Sequence, residues 1–527
     1  MSVFAYMPYG AGGIIIRVEA DIRRGIPGID ISGLAEGAVR EARERVRAAF
    51  RNSGFQFPAD RILINLAPAG LKKDGAALDL PIALSVMTAA GLAPINGNLL
   101  VMGELELSGR IRPVRGVLAA IAAGLSEGIT EFIVPAENTG EASILADKGA
   151  RFTAADNLQN AVNALFIKDE TGALPESFAD YPDKTAMSAN SGTAGDFSDV
   201  RGQAIYKRAL EIAAAGGHNT LVFGPPGAGK TMLARRMPSI MAPLSSDEAV
   251  EVTRLHSLAG SRSGGFIDRL ITCPPFRAPH HTASAEGILG GGRIPRPGEI
   301  TLAHLGILFL DEAPEFKINV LQALREPLED KIISIVRADG PVQLPAEFQL
   351  IMTANSCRCG KLGMHDSASG CLCSPEEVNR YWRKFGGALL DRVEIRAAVL
   401  PPKIEEMNAN CENLEEKSAV IACRVKKVIE IQQARFKGTG IRRNAMIPAG
   451  KASAMCPMNM KAESAFHTAV SKLGLSGRAY HGILRVARTI ADLDCKESIE
   501  TEHILEAVHH RRFGDDPWDI LSMEKMS

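Results

Sequence analysis

One eight-residue segment constrains the fold of this chain more than any other feature. Residues 224–231 read Gly-Pro-Pro-Gly-Ala-Gly-Lys-Thr and fill every fixed position of the Walker A pattern, G-x-x-x-x-G-K-[ST]. An apolar, β-prone run from Thr220 to Phe223 precedes the segment, and a helix-prone run, 232–236, follows it. This context favours a phosphate-binding loop over the alternative, a glycine turn between a strand and a helix. The chain is therefore predicted to bind ATP.

Each residue type in this loop has a physical task. Glycines allow backbone N–H groups to turn onto phosphate oxygens, and the following helix adds the partial positive charge of its N-terminus. Lys230 is predicted to reach the β and γ phosphates, and the Thr231 hydroxyl is predicted to ligate Mg²⁺. The predicted nucleotide-binding residues of the loop are Gly224, Pro225, Pro226, Gly227, Ala228, Gly229, Lys230 and Thr231.

The bulk composition allows several domains and excludes some classes of protein. A chain of 527 residues is too long for one core and suggests roughly three domains. No apolar run approaches the ~18 residues that a membrane span needs, and no secretion signal is evident. The predicted location is therefore the cytoplasm, with no membrane partner. Because the net charge is −1, any contact with nucleic acid must come from local basic loops.

Composition and periodicity divide the chain into four segments. Residues 1–166 alternate short strands with Ala-rich helices, and residues 167–200 are acidic and polar, as in a solvated linker. Residues 201–400 alternate strands with helices, which indicates a parallel α/β sheet, and residues 401–527 read as a helical lid. In the first segment the predicted elements are strands at 14–19 and 62–66 and helices at 41–50 and 80–90.

A second strand in the α/β segment ends in two carboxylates. The apolar run 306–310 is typical of a strand buried on both faces, and Asp311 and Glu312 follow it directly. Ligands of parallel sheets bind at this end of the strands. Asp311 is predicted to be the Walker B carboxylate near Mg²⁺, and Glu312 to polarise the attacking water. The alternative, a strand simply meeting its loop, is less favoured beside a complete Walker A motif.

Three further positions resemble parts of the AAA+ ATPases. The strand 348–354 ends in Asn355, which resembles sensor 1, whose amide orients water against the γ phosphate. Arg392, in the sequence Leu-Leu-Asp-Arg, resembles the arginine finger that acts in a neighbouring subunit's site, and Arg478 resembles the sensor 2 arginine of the lid. Taken singly, the amide could close a strand and each arginine could be a solvated surface residue.

The resemblance extends nearly end to end. Four blocks, at 199–203, 213–219, 275–281 and 324–329, resemble signature segments of the magnesium-chelatase-like AAA+ ATPases of the ComM/YifB type. The resemblance implies an AAA+ P-loop domain with a parallel sheet, preceded by a Lon-protease-like α+β domain and followed by a helical lid. It also implies a bacterial, cytosolic protein that forms hexameric rings. By the same resemblance, a role in branch migration of DNA during uptake and recombination is expected, as in the best-understood members of the family.

The first domain resembles the Lon protease domain without its catalytic pair. Segments 73–77 and 103–110 are similar to Lon segments, and Ala77 stands where Lon carries its nucleophilic serine. Neither Leu118 nor Ala120, where the lysine base would fall, can accept a proton. Serine–lysine chemistry needs both partners. An ATP-dependent protease is therefore excluded, and a structural or substrate-engaging domain is expected.

Four cysteines cluster directly after Asn355. Cys357 and Cys359 are separated from Cys371 and Cys373 by eleven residues. Four thiolates can close a tetrahedral Zn²⁺ site, so a structural zinc site is predicted in an insertion over 355–375. Reduced surface thiols or redox-active pairs remain the alternatives.

Two segments are candidates for contact with DNA. The stretch from Arg254 to Gly298 contains six arginines and only two acids, and arginines on loops can bind DNA phosphates. Pairing of these arginines with other subunits or with nucleotide is nearly as well supported. The alternating run 331–337 predicts a hairpin that resembles the DNA-gripping hairpins of related helicases. The preferred function is an ATP-driven homo-oligomeric ring motor on single-stranded or branched DNA, without sequence preference. The alternative is a chelatase-type ATPase that remodels a protein partner.

Overall fold

A computed structural model describes most of the chain. The described residues are 2–73, 75–95, 97–166, 195–260, 267–337, 340–362, 370–400, 415–512 and 518. Most of the predicted linker, 167–194, lies outside them, as does part of the predicted cysteine insertion, 363–369. No helix in the described ranges is long and apolar enough to cross a membrane.

The first domain is a seven-stranded mixed sheet covered by helices. Its strand order is β3-β4-β2-β1-β5-β8-β9, with β1–β2 and β2–β4 antiparallel and the other neighbours parallel. The predicted strands and helices of this segment correspond to β2, β4, α1 and α2. In chain order the elements are β1 Ser2–Tyr9, β2 Gly12–Arg23, β3 Gly28–Ser32, α1 Gly37–Asn52, β4 Arg61–Ala67, α2 Asp79–Ala89, β5 Asn98–Val101, β6 Glu104–Leu105, β7 Ile111–Arg112, α3 Val117–Ser126, β8 Glu131–Pro135, α4 Thr139–Ser143, β9 Arg151–Ala155 and α5 Leu158–Phe166.

The second domain is built on a five-stranded parallel sheet. Its order is β11-β14-β17-β10-β18, and the strands are short and, apart from the half-buried β11, wholly buried, as expected for a sheet covered on both faces. Its elements are α6 Ala204–Gly216, β10 Thr220–Phe223, α7 Lys230–Ala234, α8 Ser246–Ala259, β11 Phe276–Arg277, α9 Ala285–Leu289, β12 Gly290–Gly291, β13 Arg296–Pro297, α10 Glu299–Leu302, β14 Ile307–Leu310, α11 Ile318–Ala323, α12 Arg325–Asp330, β15 Ile332–Arg337, β16 Gly340–Pro345, β17 Gln349–Ala354, α13 Pro375–Trp382, α14 Gly387–Leu390 and β18 Ile395–Ala398.

A helical lid follows the sheet. Its helices are α15 Ser418–Arg435, α16 Ala449–Met455, α17 Met460–Leu473, α18 Gly477–Leu493 and α19 Thr501–Arg512. The lid shares one hydrophobic core with α6 and the face of the sheet beneath it. A buried polar contact joins the two parts, because His218 Nε2 lies 2.8 Å from Thr489 Oγ1. Burial, with Arg485 nearby, lowers the pKa of His218 to about 3. This histidine is therefore neutral at physiological pH.

The linker ends earlier than predicted. Residues 196–200, assigned to the solvated linker over 167–200, pack in the second domain. Phe197 is fully buried in a 3₁₀ turn, its N–H donates to Ser418 Oγ (2.8 Å), and Val200 is also buried. The acids that suggested solvation act locally instead, because Asp196 caps this turn and Asp199 pairs with Arg236.

The first domain packs directly on the second. Helix α3 lies against α8, and the Ser257 hydroxyl of α8 donates to the buried carboxylate of Glu141. The β1–β2 turn reaches the β15–β16 hairpin, where a Cβ on Gly10 would lie 2.6 Å from Val342 Cγ1. The Lon-like domain is thus in contact with α8 and with the β15–β16 hairpin of the second domain.

Candidate active site

The Walker A segment lies at the carboxyl end of β10 and leads into α7. A Cβ on Gly224 would lie 2.0 Å from the carbonyl oxygen of Val399, so only glycine allows the loop to pass beside the end of β18. Gly229 has a φ of +82° where it caps α7, a conformation that glycine adopts without strain. The tight approach and the reversed backbone therefore require these glycines.

The Lys230 amine sits inside this loop and is almost fully buried. Its Nζ donates to the carbonyl oxygens of Gly224 and Pro225, both at 2.8 Å, and to Asn355 Oδ1 at 3.2 Å. Burial lowers the pKa of Lys230 to about 8, against the opposing influence of Asp311 and Glu312. The amine thus lies beside the amide that resembles sensor 1.

Asp311 joins the Walker A helix to the neighbouring strand. Its Oδ1 accepts hydrogen bonds from Thr231 Oγ1 at 2.9 Å and from Thr353 Oγ1 at 2.6 Å. Carboxylate and hydroxyl oxygens are the hard ligands that Mg²⁺ prefers, and this pair lies at the carboxyl edge of a parallel sheet. The donor set therefore fits Mg²⁺, with Thr231 and Asp311 as the residues that would hold it.

Glu312 occupies a backbone conformation that non-glycine residues rarely adopt. Its φ and ψ are +50° and +49°, in the left-handed region. Its N–H donates to Thr353 Oγ1 at 3.0 Å, and its carbonyl accepts from the Glu315 N–H at 2.7 Å. Such strain costs of order 1–3 kcal/mol and concentrates at functional sites. Here it turns an exposed carboxylate out of the strand next to Asp311.

The two arginines lie at the opposite, amino edge of the same sheet. The carbonyl of Arg392 accepts from Asn219 Nδ2 (2.9 Å), directly before β10 begins. Arg478, in the first turn of α18, meets Arg392 on a shared counter-ion: both guanidinium groups bind the carboxylate of Glu329, and the Arg478 contacts are 3.0 and 3.2 Å. Asn219 directly precedes β10 and Gly224 directly follows it. At the rise of a β-strand these two residues, and with them the two edges of the sheet, lie roughly 16 Å apart.

Sequence reasoning missed four residues that organise these edges. Thr353 bridges Asp311 and Glu312, and the Tyr206 hydroxyl donates to the Lys230 carbonyl at 2.9 Å. Asn219 ties the starts of β10, β17 and β18 together, and Glu329 pairs with both arginines. A threonine inside an apolar strand was a visible signal for Thr353. Asn219 and Glu329 end two of the signature blocks, but no local pattern indicates the partners of these two residues or of Tyr206, because those partners are distant in sequence.

The four cysteines of the predicted insertion come together. Their four sulfur atoms lie within 4.8 Å of one another, with Cys357 Sγ 3.3 Å from Cys359 Sγ and 3.6 Å from Cys371 Sγ. Ligands of a tetrahedral zinc–thiolate centre lie about 3.8 Å apart, given Zn–S bonds of about 2.3 Å. The loop also contacts the Walker A segment, since a Cβ on Gly360 would lie 2.9 Å from Pro226 Cδ. The donor set fits Zn²⁺.

The positions that Lon uses for catalysis are apolar in this fold. Ala77 lies in a 3₁₀ turn before α2, and Leu118 and Ala120 are buried in α3. A nearby lysine, Lys73, is buried and donates to the Pro68 carbonyl. Nothing at these positions can act as nucleophile or base.

The arginine-rich stretch between Walker A and Walker B divides into two groups. Arg277 is committed to the buried carboxylate of Glu299 at 2.7 Å, and Arg254 lies on α8 near the first domain. Arg293 and Arg296 are exposed on the small β12–β13 hairpin. Arg269 is half-exposed beside Asp268, whereas Arg262 lies outside the described residues.

The predicted β15–β16 hairpin is present and touches the smaller hairpin. Its strands pair in antiparallel register from Ile332↔Pro345 to Arg337↔Gly340. Arg337 donates to the carbonyl oxygens of Gly292 and Arg293, which join the two hairpins. The two hairpins therefore form one surface. Val336, near the tip of the β15–β16 hairpin, is 82% exposed.

Comparison with known proteins follows the same division of the chain. The family profile "Magnesium chelatase, subunit ChlI" matches residues 196–407, "Subunit ChlI of Mg-chelatase" matches 18–138, and "Magnesium chelatase, subunit ChlI C-terminal" matches 415–511. A Lon protease of Salinispora arenicola is 27% identical over 136 residues, which cover 24% of this chain and 18% of that protein. These matches agree with a Lon-like first domain, an AAA+ core and a helical C-terminal region.

Two relatives extend over nearly the whole chain. The competence protein ComM of Haemophilus influenzae is 38% identical over 517 residues, 97% of each chain. The uncharacterized protein YifB of Salmonella typhimurium is 40% identical over 500 residues, 94% of each chain. The chain belongs to the magnesium-chelatase-like AAA+ family of the ComM/YifB type. The predicted family and fold class are confirmed, and membership implies an ATPase that uses ATP and Mg²⁺.

Proposed function

We propose that this protein is a ring-forming, ATP-driven motor that moves on single-stranded or branched DNA. The observation that carries the proposal is the division of the catalytic groups between opposite edges of one sheet. Lys230 and Asp311 lie at the carboxyl edge, whereas Arg392 and Arg478 lie at the amino edge. Arg392 is too far from its own Walker A loop to touch a phosphate bound there.

An assembled ring resolves this separation. In a head-to-tail ring each copy presents a different surface to each neighbour, so the amino edge of one copy can face the carboxyl edge of the next. Arg392 and Arg478 would then approach the γ phosphate held by the neighbouring copy and neutralise charge that develops as the phosphoryl group leaves. We infer that hydrolysis depends on assembly, with a hexamer as the expected closed form.

The roles within one site follow from the contacts. Backbone N–H groups of the loop and Lys230 would bind the β and γ phosphates, and Mg²⁺ held by Thr231 and Asp311 would neutralise their charge. Glu312 would accept a proton from the water that attacks the γ phosphorus, while the Asn355 amide orients that water. The bond from this phosphorus to the ADP oxygen breaks, giving ADP and phosphate.

An exposed basic hairpin supports DNA as the substrate. Arg296 is exposed on the β12–β13 hairpin, and Arg293 on the same hairpin is exposed while it pairs with Glu36 of the first domain. The longer β15–β16 hairpin lies beside it, and the first domain contacts both hairpins. Arginines on loops grip phosphates without reading bases, which matches a motor that ignores sequence. Because such binding releases counter-ions, DNA affinity is expected to fall steeply with added salt.

The decisive experiment measures ATPase rate and assembly together. Wild-type protein is assayed without DNA, with a single-stranded oligonucleotide and with a four-way junction, while mass photometry reports its oligomeric state. Stimulation by DNA and a closed oligomer with nucleotide support the proposal. A protein that stays monomeric yet turns over ATP at full rate contradicts it. Indifference to both DNAs in an assembled ring would favour the remodelling of a protein partner.

We also propose that the four cysteines hold a structural Zn²⁺ that braces the Walker A loop. The cluster begins two residues after Asn355, and its Gly360 contacts Pro226. Purified protein is expected to contain about one zinc per chain, and Cys359→Ser to lose it. Cys423→Ser is the matched control, since Cys423 is exposed outside the cluster. Zinc-free protein with four freely titratable thiols would contradict the site.

A further inference from the structure

Glu329 is the acidic residue that both amino-edge arginines share. Its carboxylate binds Arg392 and Arg478, and those two guanidinium groups lower the pKa of Glu329. The contact forms one wall of a cavity of about 530 Å³ between the sheet and the lid. Its other acids have other partners: Asp391 binds Arg511, Glu394 lies near Arg485, and Glu248 and Glu347 lie near Arg442. Among the described residues, Glu329 is therefore the counter-ion of Arg392 and Arg478.

A carboxylate and a phosphate cannot both occupy the same guanidinium donors. Arg392 Nη2 is engaged by Glu329, and its Nη1 donates to the Ala388 carbonyl at 2.6 Å. The side chain of Arg392 is only 13% exposed, so few donors face outward while this contact persists. An arriving phosphate would also be repelled by the negative charge of Glu329. The two anions therefore compete for one pair of arginines.

The position of Glu329 couples this competition to the hairpin surface. Glu329 lies near the end of α12, and two residues later Lys331 turns the chain into β15 with a φ of +60°. The carbonyl of Lys331 accepts from the Ala346 N–H at 2.8 Å, which fixes this turn to the far end of β16. A displacement of the hairpin therefore moves the backbone that carries Glu329.

We propose that Glu329 is a positioning residue that restrains Arg392 and Arg478 until movement of the β15–β16 hairpin withdraws its carboxylate. The restraint keeps hydrolysis slow when no polyanionic strand is bound to the hairpins. When the hairpins bind such a strand, the carboxylate withdraws and the two arginines are released. This inference rests on the proposed action of Arg392 at a neighbouring copy's site.

The test compares full-length Glu329→Gln with Glu326→Gln, an exposed glutamate on the same helix. Without DNA, Glu329→Gln is expected to raise kcat about two- to fivefold, the factor that a half-exposed ion pair is worth, with little change in KM for ATP. Stimulation by a single-stranded oligonucleotide should shrink by a similar factor. Glu326→Gln should match wild type in both assays.

Four outcomes would overturn the proposal. An unchanged kcat would show that the contact does not restrain the arginines, and a fall toward the rate of Arg392→Ala would assign Glu329 a supporting role. Because glutamine has the shape of glutamate, folding should be preserved, and a lowered Tm would indicate a structural role instead. If DNA fails to stimulate wild type, the proposed function fails while the kcat comparison still tests the restraint. If Arg392→Ala keeps wild-type turnover, both proposals fail.

Discussion

The two edges of the ATPase sheet differ in how their functional groups are held. At the carboxyl edge, Thr231 bonds to Asp311, Asp311 bonds to Thr353 of β17, and Lys230 bonds to Asn355, which directly follows β17. At the amino edge, Arg392 and Arg478 bond to one half-exposed carboxylate beside an open cavity. The groups of the first edge are held by several partners within the chain, whereas the two arginines of the second share one carboxylate. The difference suggests that the carboxyl edge binds ATP and that the amino edge acts on ATP bound by a neighbouring copy.

The largest expected effect comes from removing the Arg392 guanidinium at the amino edge. Arg392→Ala should lower kcat for ATP by about 10³-fold or more, because an arginine finger contributes a factor of that size. ATP binding should be unchanged, since the opposite edge is intact. Steady-state kinetics and titration with a fluorescent ATP analogue measure the two quantities. Arg380→Ala, an exposed arginine on α13, is the matched control. Normal turnover in Arg392→Ala would show that Arg392 does not contribute to ATP hydrolysis.

Loss of the Glu312 carboxylate at the carboxyl edge should lower kcat to a similar extent. Glu312→Gln should lower kcat by about 10²- to 10⁴-fold while ATP binding persists, because the amide cannot accept the water proton. The exposed neighbour Glu315 supplies the control Glu315→Gln. Weakened ATP binding in Glu312→Gln, with no separate effect on kcat, would assign Glu312 to binding instead.

Mixing the two inactive variants tests whether the two edges act together across neighbouring copies. Arg392→Ala keeps an intact carboxyl edge and Glu312→Gln keeps an intact amino edge, so mixed rings would contain some interfaces with both intact halves. Partial ATPase activity should therefore return on mixing, although neither variant is active alone. Mixtures that assemble but stay inactive would argue that both edges act within one chain.

A smaller effect is expected from pH at the carboxyl edge. The pKa of Lys230 is lowered to about 8 by burial, and a bound phosphate would favour the charged amine. ATP binding then takes up a proton above pH 8, so affinity should fall as pH rises from 8, by up to about tenfold per pH unit. Titrations between pH 7 and 9.5 measure the slope. Lys230→Arg, which stays charged, should show no such fall, and a flat wild-type profile would be inconsistent with this origin.

The smallest effect near neutral pH concerns the joint between sheet and lid behind the amino edge. His218 has a pKa of about 3 when folded and the ordinary value near 6.5 when unfolded, so the unfolded chain binds more protons below pH 6.5. Stability should be fully present above pH 6.5 and fall at up to about 1.4 kcal/mol per pH unit toward pH 3. Urea unfolding should show that His218→Gln reduces this slope by up to about 1.4 kcal/mol per pH unit, which corresponds to one proton. His467→Gln, at an exposed histidine, should leave it unchanged.

Local motifs allowed much of the carboxyl edge to be predicted. The run 220–223 is β10 as predicted, and the run before Asp311 and the strand before Asn355 correspond to β14 and β17. These assignments succeed because a strand buried on both faces is continuously apolar and the polar residue at its end breaks the run. The end of the linker was wrong by residues 196–200, since their acidic composition concealed the buried Phe197.

The sequence by itself determined the family and the order of domains, and it predicted the residues that would hold ATP and Mg²⁺. Each of these is written in a short contiguous segment, where spacing along the chain fixes spacing in the fold. Only the tertiary structure decided that Arg392 and Arg478 share Glu329 at the edge opposite the Walker A loop. That arrangement joins residues 63 and 149 positions apart, whose meeting depends on the packing of α12 against the sheet and the lid. No local pattern encodes such a contact.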